Sequence, residues 1–284
     1  MGRSKSMFYS RRVILFAFAV LAAPSAWAQP IPAARIAEIV ASSDRSDADR
    51  TNDLRRKPQS MLAFIAMRPG IAAFDISAAG GYTTELLARA IGSTGRVFGQ
   101  SRPAAAAASP PPAQREGNSR PDLPAAAPAA APRPSPVALA DRAEKMRAAN
   151  VAAAPIVAVS RPFEDPVPPE LVGKLDLATL MFNYHDLGHM GVDRAAMNKA
   201  VFAALKPGGE FVIADHAGRP GTGISESGTL HRIEEAFLRQ EVEAAGFKLA
   251  AEGMFLRNPN DPKDKNTPDP PQPKDEFVLK FVKP

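Results

Sequence analysis

The stretch FDISAAGGYTTELLARA, Phe74 to Ala90, constrains the fold of this chain more than any other. A short apolar run ends in an acid, Asp75. Small residues and two glycines follow, and then a helical pattern begins. Strand, tight turn and helix in that order open a parallel α/β sheet, and small side chains in the turn let the backbone approach a bound molecule closely. Two positions where such a turn usually carries glycine hold Ser77 and Ala79; Gly80 and Gly81 follow them.

Strands and helices alternate around this unit. IAAFDIS (Ile71 to Ser77), RVFGQ (Arg96 to Gln100), APIVAVS (Ala154 to Ser160), KLDLATLMFNY (Lys174 to Tyr184), EFVIADH, FKLAAEGMFL and FVLKFVKP read as strands. YTTELLARAIG, VALADRAEKMRAANV, DRAAMNKAVFAAL and GTLHRIEEAFLRQEVEAAG read as helices, the last as one long helix that Gly246 terminates. Two further helical segments, IPAARIAEIVAS and RSDADRTNDLRRKPQSMLAFI, precede the first strand, and KPGG (Lys206 to Gly209) reads as a turn. The alternation predicts an α/β fold with a doubly wound, mostly parallel sheet. The last two strands have no helix between them, so they are expected to form an antiparallel pair at one edge.

The N-terminus reads as an export signal. Arg3 to Arg12 is basic, VILFAFAVLAA (Val13 to Ala23) is apolar but short for a bilayer span, and AWA (Ala26 to Ala28) offers small residues for cleavage after Ala28. SRRVIL (Ser10 to Leu15) also resembles a twin-arginine signal. The expected organisation is a signal peptide over 1–28, an N-terminal helical cap over 29–70 and an α/β domain over 71–284. The expected location is periplasmic or secreted, with no stable membrane anchor after cleavage.

Charge and composition narrow the partners. The formal charge of +5 includes four cations of the signal; without them 31 basic face 30 acidic side chains. Such a balance offers no electrostatic footprint for nucleic acid. The chain has no cysteine, so neither disulfides nor thiolate metal sites arise. From Pro103 to Pro136, Ala and Pro supply 22 of 34 residues, which predicts a disordered surface insertion with too little apolar bulk to order itself.

Three stretches together resemble the class I S-adenosylmethionine-dependent methyltransferase family: FDISAAGGYTTELLARA after the first strand, LKPGGEFVIADH at the fifth, and VEAAGFKLAAEG before the sixth. The likeness runs from about Lys57 to the C-terminus and includes bacterial members described as predicted methyltransferases with signal peptides. It implies a Rossmann-like, seven-stranded sheet whose last strand is antiparallel and inserted beside the fifth. It implies S-adenosylmethionine as cofactor and an unidentified small-molecule acceptor. Asp75 would anchor the loop and the methionine part of the cofactor, with Ser77, Ala79, Gly80 and Gly81 forming the turn around it. Gln100 stands where many members have an acid that accepts from the ribose hydroxyls. Pro162 stands near an acid that often contacts adenine; Glu164 and Asp165 are close enough to substitute.

FNYHDLGHM (Phe182 to Met190) follows the fourth strand, where the family places groups that face the transferred methyl. His185 is the expected base, since its ordinary pKa suits neutral pH, and Tyr184 or Asn183 would position the acceptor. The competing expectation is an exposed capping loop. His185 and His189, with Asp186 and His216 nearby, raise a metal site, but Gly188 and Gly191 speak against the helix that their spacing needs, so no metal is expected. The arginine-rich DRTNDLRRKP (Asp49 to Pro58) either caps the pocket or forms a solvated helix face. Because S-adenosylmethionine is made in the cytoplasm, the rival function is an exported, non-catalytic protein binding another nucleoside-like or small ligand in the same pocket. An interaction protein acting through the proline-rich insertion ranks last. The oligomeric state is not readable from the sequence.

Overall fold

The computed structural model describes residues 1–2, 29–103, 133–266, 268 and 272–284. Residues 3–28, read from the sequence as an export signal, and most of the Ala/Pro-rich insertion (104–132) lie outside the described residues. Seven strands form one sheet: β1 (Ala72–Ile76), β2 (Arg96–Ser101), β3 (Ile156–Ser160), β4 (Leu175–Met181), β5 (Leu205–His216), β6 (Lys248–Gly253) and β7 (Glu276–Val282). Their order is β3-β2-β1-β4-β5-β7-β6. β1 to β5 pair in parallel, and β7 is antiparallel to both β5 and β6. The antiparallel pair expected at one edge is present, with β7 inserted beside β5 and β6 outermost. This is the seven-stranded, Rossmann-like arrangement that the resemblance implies.

Helices cover both faces because alternate strand residues point to opposite sides. Ala73, Leu177, Val212, Ala214 and Val278 face one side. There they meet Ile36 and Ile39 of α1 (Ala33–Ala41), Leu62 and Ile65 of α3 (Pro58–Ile65), and Leu86, Leu87 and Ile91 of α4 (Tyr82–Ile91). Phe74, Ala178, Phe211, Ile213, Phe277 and Phe281 face the other side. Their partners include Met197 and Val201 of α7 (Arg194–Ala204) and Leu238 and Val242 of α9 (Glu235–Ala244). The side chain of Asp193 caps α7, accepting from the Ala196 N–H at 2.9 Å, as its position predicts.

Local boundaries differ from the sequence reading in four places. The segment 45–65 is two helices, α2 (Asp47–Arg56) and α3, broken at Lys57, whose φ is 44°. Pro58 is the cause: it disfavours the helical region for the residue before it and is suited to start a helix itself. KPGG is absorbed into β5, where the Gly208 N–H donates to Lys283 O and the Lys283 N–H donates back to Gly209 O. Helix α5 (Ser135–Ala148) begins inside the expected insertion, with Pro136 in its first turn, where a missing N–H costs nothing.

The fourth difference is the long helix expected before β6, which is interrupted. A single turn, α8 (Ser227–Leu230), is followed by His231 at φ 50°, Arg232 and Ile233 before α9 starts. Arg232 is fully buried. It donates to the carbonyl of Ala217 at 2.9 Å and pairs with Asp261 at 2.8 Å. A continuous helix would turn that guanidinium away from both acceptors.

Candidate active site

The turn after β1 adopts the backbone that glycine would normally supply. Ser77 has φ 58° and Ala79 φ 46°, both left-handed. Gly80 is not among the positive-φ residues, and a Cβ there would meet nothing within 4 Å. Gly81 needs to be glycine twice over: its φ is 79°, and a Cβ would lie 2.8 Å from both Leu139 and Arg142 of α5.

Asp75 is buried and accepts hydrogen bonds from Thr84 Oγ1 at 2.6 Å and from Thr179 Oγ1 at 2.8 Å. Thr179 is its direct register partner on β4. Burial pushes the Asp75 carboxyl up to about 6, against the two threonine hydroxyls and the charge of Arg56. The acid thus ties β1, α4 and β4 together at one point.

Around it lies a cavity of about 300 Å³ at the carboxyl ends of β1 and β4. Asp75, Ser77, Ala79 and Gly80 line it from the turn, and Phe182 and Asn183 from the end of β4. Phe182 is a third left-handed residue on its wall, at φ 58°. Asp49, Asn52 and Arg56 of α2 close another side, so the arginine-rich segment caps the pocket as one of its two readings holds. Arg56 lies over the rings of Phe182 and Tyr82, 4.6 and 5.4 Å from their centroids.

Arg142 of α5 joins the cap to the turn. It donates to the Gly80 carbonyl, to both oxygens of Asp49 at 2.8 and 2.9 Å, and to Glu85. Burial alone would raise the Asp49 pKa, but Arg142 holds it below the usual carboxylate range. Sequence reasoning missed Arg142, because it lies beyond the insertion and only the fold carries it back over the turn.

Three expected nucleoside contacts do not line the cavity. Gln100 is fully buried: its Oε1 accepts from the Ser77 N–H at 2.9 Å and its Nε2 donates to the Arg161 carbonyl at 2.7 Å. Its amide locks the first turn to the loop after β3 instead of facing a ribose. Asp165 is exposed and paired with Arg161, and Glu164 also stands outside the cavity.

The expected catalytic trio separates in the same way. Asn183 lines the cavity and donates to Asp186 Oδ2 at 2.9 Å. Tyr184 points to the opposite face of the sheet, where its hydroxyl meets Glu241 at 2.9 Å and Asn198 at 2.8 Å. Burial raises its pKa, with Glu241 adding to the effect. His185 is neither exposed nor a free base. It is 1% exposed, and its Nδ1 lies 2.6 Å from Asp215 Oδ1. Burial would lower its pKa, but Asp215 and Asp186 outweigh that and push it up to about 10. The two carboxylates thus favour the protonated ring, which makes His185 a poor general base at neutral pH. The segment also contains the helix that Gly188 argued against: one turn, α6 (Asp186–His189). Gly188 is required there, since a Cβ would lie 2.4 Å from Ile224 and 2.8 Å from Ser227.

No family model and no curated protein matches the chain. Solved structures with a similar fold include a SAM-dependent methyltransferase from Aquifex aeolicus, with 13% identity and a TM-score of 0.48 over 84% of this chain and 100% of that one. A TehB-like SAM-dependent methyltransferase from Corynebacterium glutamicum has 12% identity and a TM-score of 0.45, with the same coverage. The [4+2]-cyclase SpnF has 12% identity and a TM-score of 0.49 over 80% of this chain and 82% of that one. Likenesses this distant carry no argument about chemistry, which has to come from the site itself.

Proposed function

We propose that the protein is an exported S-adenosylmethionine-dependent methyltransferase acting on a small-molecule acceptor. The observation that carries the reading is the cavity between β1 and β4. In the order β3-β2-β1-β4-β5 the chain winds outward in opposite directions from those two strands, so the cavity occupies the switch point where open α/β sheets bind ligands. Left-handed Ser77, Ala79 and Phe182 on its walls support the same reading, because backbone strain of this kind persists where a binding site requires it.

The lining fits the amino-acid end of such a cofactor. Asp75, the exposed backbone of Ala79 and Gly80, and Asn52 offer polar groups of both kinds. The nucleoside end has no acid on β2, and Gln100 is already bonded at both ends of its amide, so ribose recognition falls to other groups of this chain. Asn183, which lines the cavity, would orient the acceptor, and His185, with its protonated form favoured, would act through charge and position and not as a base. The cofactor, when bound, supplies the methyl group.

Calorimetric titration with S-adenosylmethionine and S-adenosylhomocysteine tests the reading. Saturable binding is expected, weakened at least tenfold in Asp75→Asn, about 1.4 kcal/mol. Absence of binding at millimolar concentrations of both would reject it in favour of a different small ligand. Among the described residues no helix is long and apolar enough to cross a membrane. The proposed export rests on the basic and apolar pattern of residues 1–28. Cell fractionation should find the chain cut after Ala28 and outside the cytoplasm.

A further inference from the structure

All four histidines of the chain, His185, His189, His216 and His231, gather at the carboxyl ends of β4 and β5, His216 as the last residue of β5. The His185 ring centroid is 5.3 Å from that of His216 and 5.6 Å from that of His231, and His189 and His231 are 5.9 Å apart. We propose that His185, Asp186 and His231 of this cluster bind one divalent transition-metal ion of the zinc class. The proposal goes beyond the methyltransferase reading and does not rest on it.

Donor spacing is the first argument. Asp186 Oδ1 lies 3.1 Å from His185 Nε2 and 2.9 Å from His231 Nδ1. One donor atom from each of the three residues falls within 4.8 Å of the others. Tetrahedral zinc bonded to nitrogen and oxygen at about 2.0–2.1 Å separates its ligand atoms by about 3.3 Å. The three side chains therefore need only small adjustments to take an ion between them.

A second, independent observation is the state of His185 Nε2. It is buried and makes no hydrogen bond, although Asp186 Oδ1 lies 3.1 Å away. A buried ring nitrogen without a partner is costly, and an ion bound there would take the place of its proton, as metal binding to histidine requires. The other nitrogen is fixed: Nδ1 meets Asp215 Oδ1 at 2.6 Å, while Asp215 also accepts from the backbone N–H groups of His185 and His216. A carboxylate on one ring nitrogen is the usual way a protein presents the other to a metal.

The surroundings hold the remaining donors. Asn183 donates to Asp186 Oδ2, leaving Oδ1 to the site. The break between α8 and α9 places His231 at φ 50°, a strained position that turns its ring onto Asp186. His189 is held back by Ser227, with its Nδ1 3.8 Å from Asp186 Oδ1. Three protein ligands remain, which leaves a coordination position for water or another ligand. Two imidazoles and one carboxylate favour zinc, cobalt, nickel or iron over calcium or magnesium. The linkage to the cavity is direct, through Asn183 and through Phe182, whose ring packs 5.6 Å from His216.

Zinc chloride titrated calorimetrically into chelator-stripped protein, without S-adenosylmethionine, tests the proposal. One ion per chain is expected, with affinity reduced at least a hundredfold in His231→Ala and at least tenfold in Asp215→Asn. His189→Ala should stay within threefold of the parent. No saturable binding, or His231→Ala binding as tightly as the parent, overturns the proposal. Should a variant fail to fold by circular dichroism, cobalt absorption of the unmodified protein decides. A spectrum of four- or five-coordinate cobalt supports the site, and that of the hydrated ion refutes it. The cofactor titration, run separately in chelator, can succeed or fail independently.

Discussion

Ala79→Gly should stabilise the protein, although glycine substitutions usually do the reverse. Ala79 sits at φ 46° on an exposed turn, a left-handed backbone that brings an L-residue's Cβ close to the carbonyl oxygen. That conformation costs an L-residue roughly 1–2 kcal/mol. Glycine removes the cost but gives the unfolded chain extra freedom, worth about 0.4–1 kcal/mol in the opposite direction. The difference is about 0.5–1 kcal/mol in favour of glycine. For a domain of this size it raises the melting temperature by roughly 1–4 °C. Gly80→Ala is the matched control. Gly80 has no positive φ and open space at its Cβ, so alanine there should be neutral or slightly stabilising. Thermal and urea unfolding of both variants measure the effect. A melting temperature for Ala79→Gly at or below that of the parent would refute the claim that the turn is strained where alanine replaces glycine.

Three further substitutions separate structural from functional roles. Gln100→Glu should destabilise by about 1–3 kcal/mol without tightening S-adenosylmethionine binding, because a carboxylate oxygen would face the Arg161 carbonyl that now accepts from Nε2; equal stability with tighter binding would restore Gln100 as a ribose contact. Tyr184→Phe should cost about 1–2 kcal/mol in urea unfolding and leave cofactor affinity unchanged, since it orphans the Asn198 amide while Glu241 keeps its pair with Arg194; lost affinity at unchanged stability would contradict that. Asp75→Asn tests a pH dependence. The folded carboxyl titrates near 6, above its unfolded value of about 3.9, so wild-type stability falls as pH rises through that window, by up to about 3 kcal/mol. The variant's urea midpoint should therefore gain on the wild type between pH 4 and 7, and a constant gap would show that Asp75 is not held protonated.

The strands were legible because each carries its own evidence, whereas their order came from the resemblance. Apolar runs bounded by glycine, proline or acid mark β1, β2, β4 and β5, and the missing helix before β7 marks the antiparallel pair. Breaks within helices were not legible. Nothing in GTLHRIEEAFLRQEVEAAG breaks helical periodicity around His231; the interruption comes from Arg232, whose acceptors Ala217 and Asp261 lie far off in sequence. The break at Lys57 was also read through, although the proline that causes it is adjacent.

Legibility of the site divides along the same line. A backbone-dominated feature, the turn from Asp75 to Gly81, was found where expected, because its residues are contiguous and chosen for size. Gln100 shows why side-chain roles did not follow. Its position at the end of β2 is what the resemblance implies, but its partners, Ser77 and Arg161, belong to two other loops. The amide can satisfy a donor on one side and an acceptor on the other, which an acid at that position cannot do. Replacing an acid by glutamine therefore does more than weaken a ligand contact: it supplies a bridge between two loops. His185 follows the same logic. Its ordinary pKa made it a base on paper, but Asp215 arrives from a different strand and fixes both the charge and the direction of the ring. The pair of carboxylates that removes it as a base would, in the proposed site, hold the ring in place and share the ion that displaces its proton.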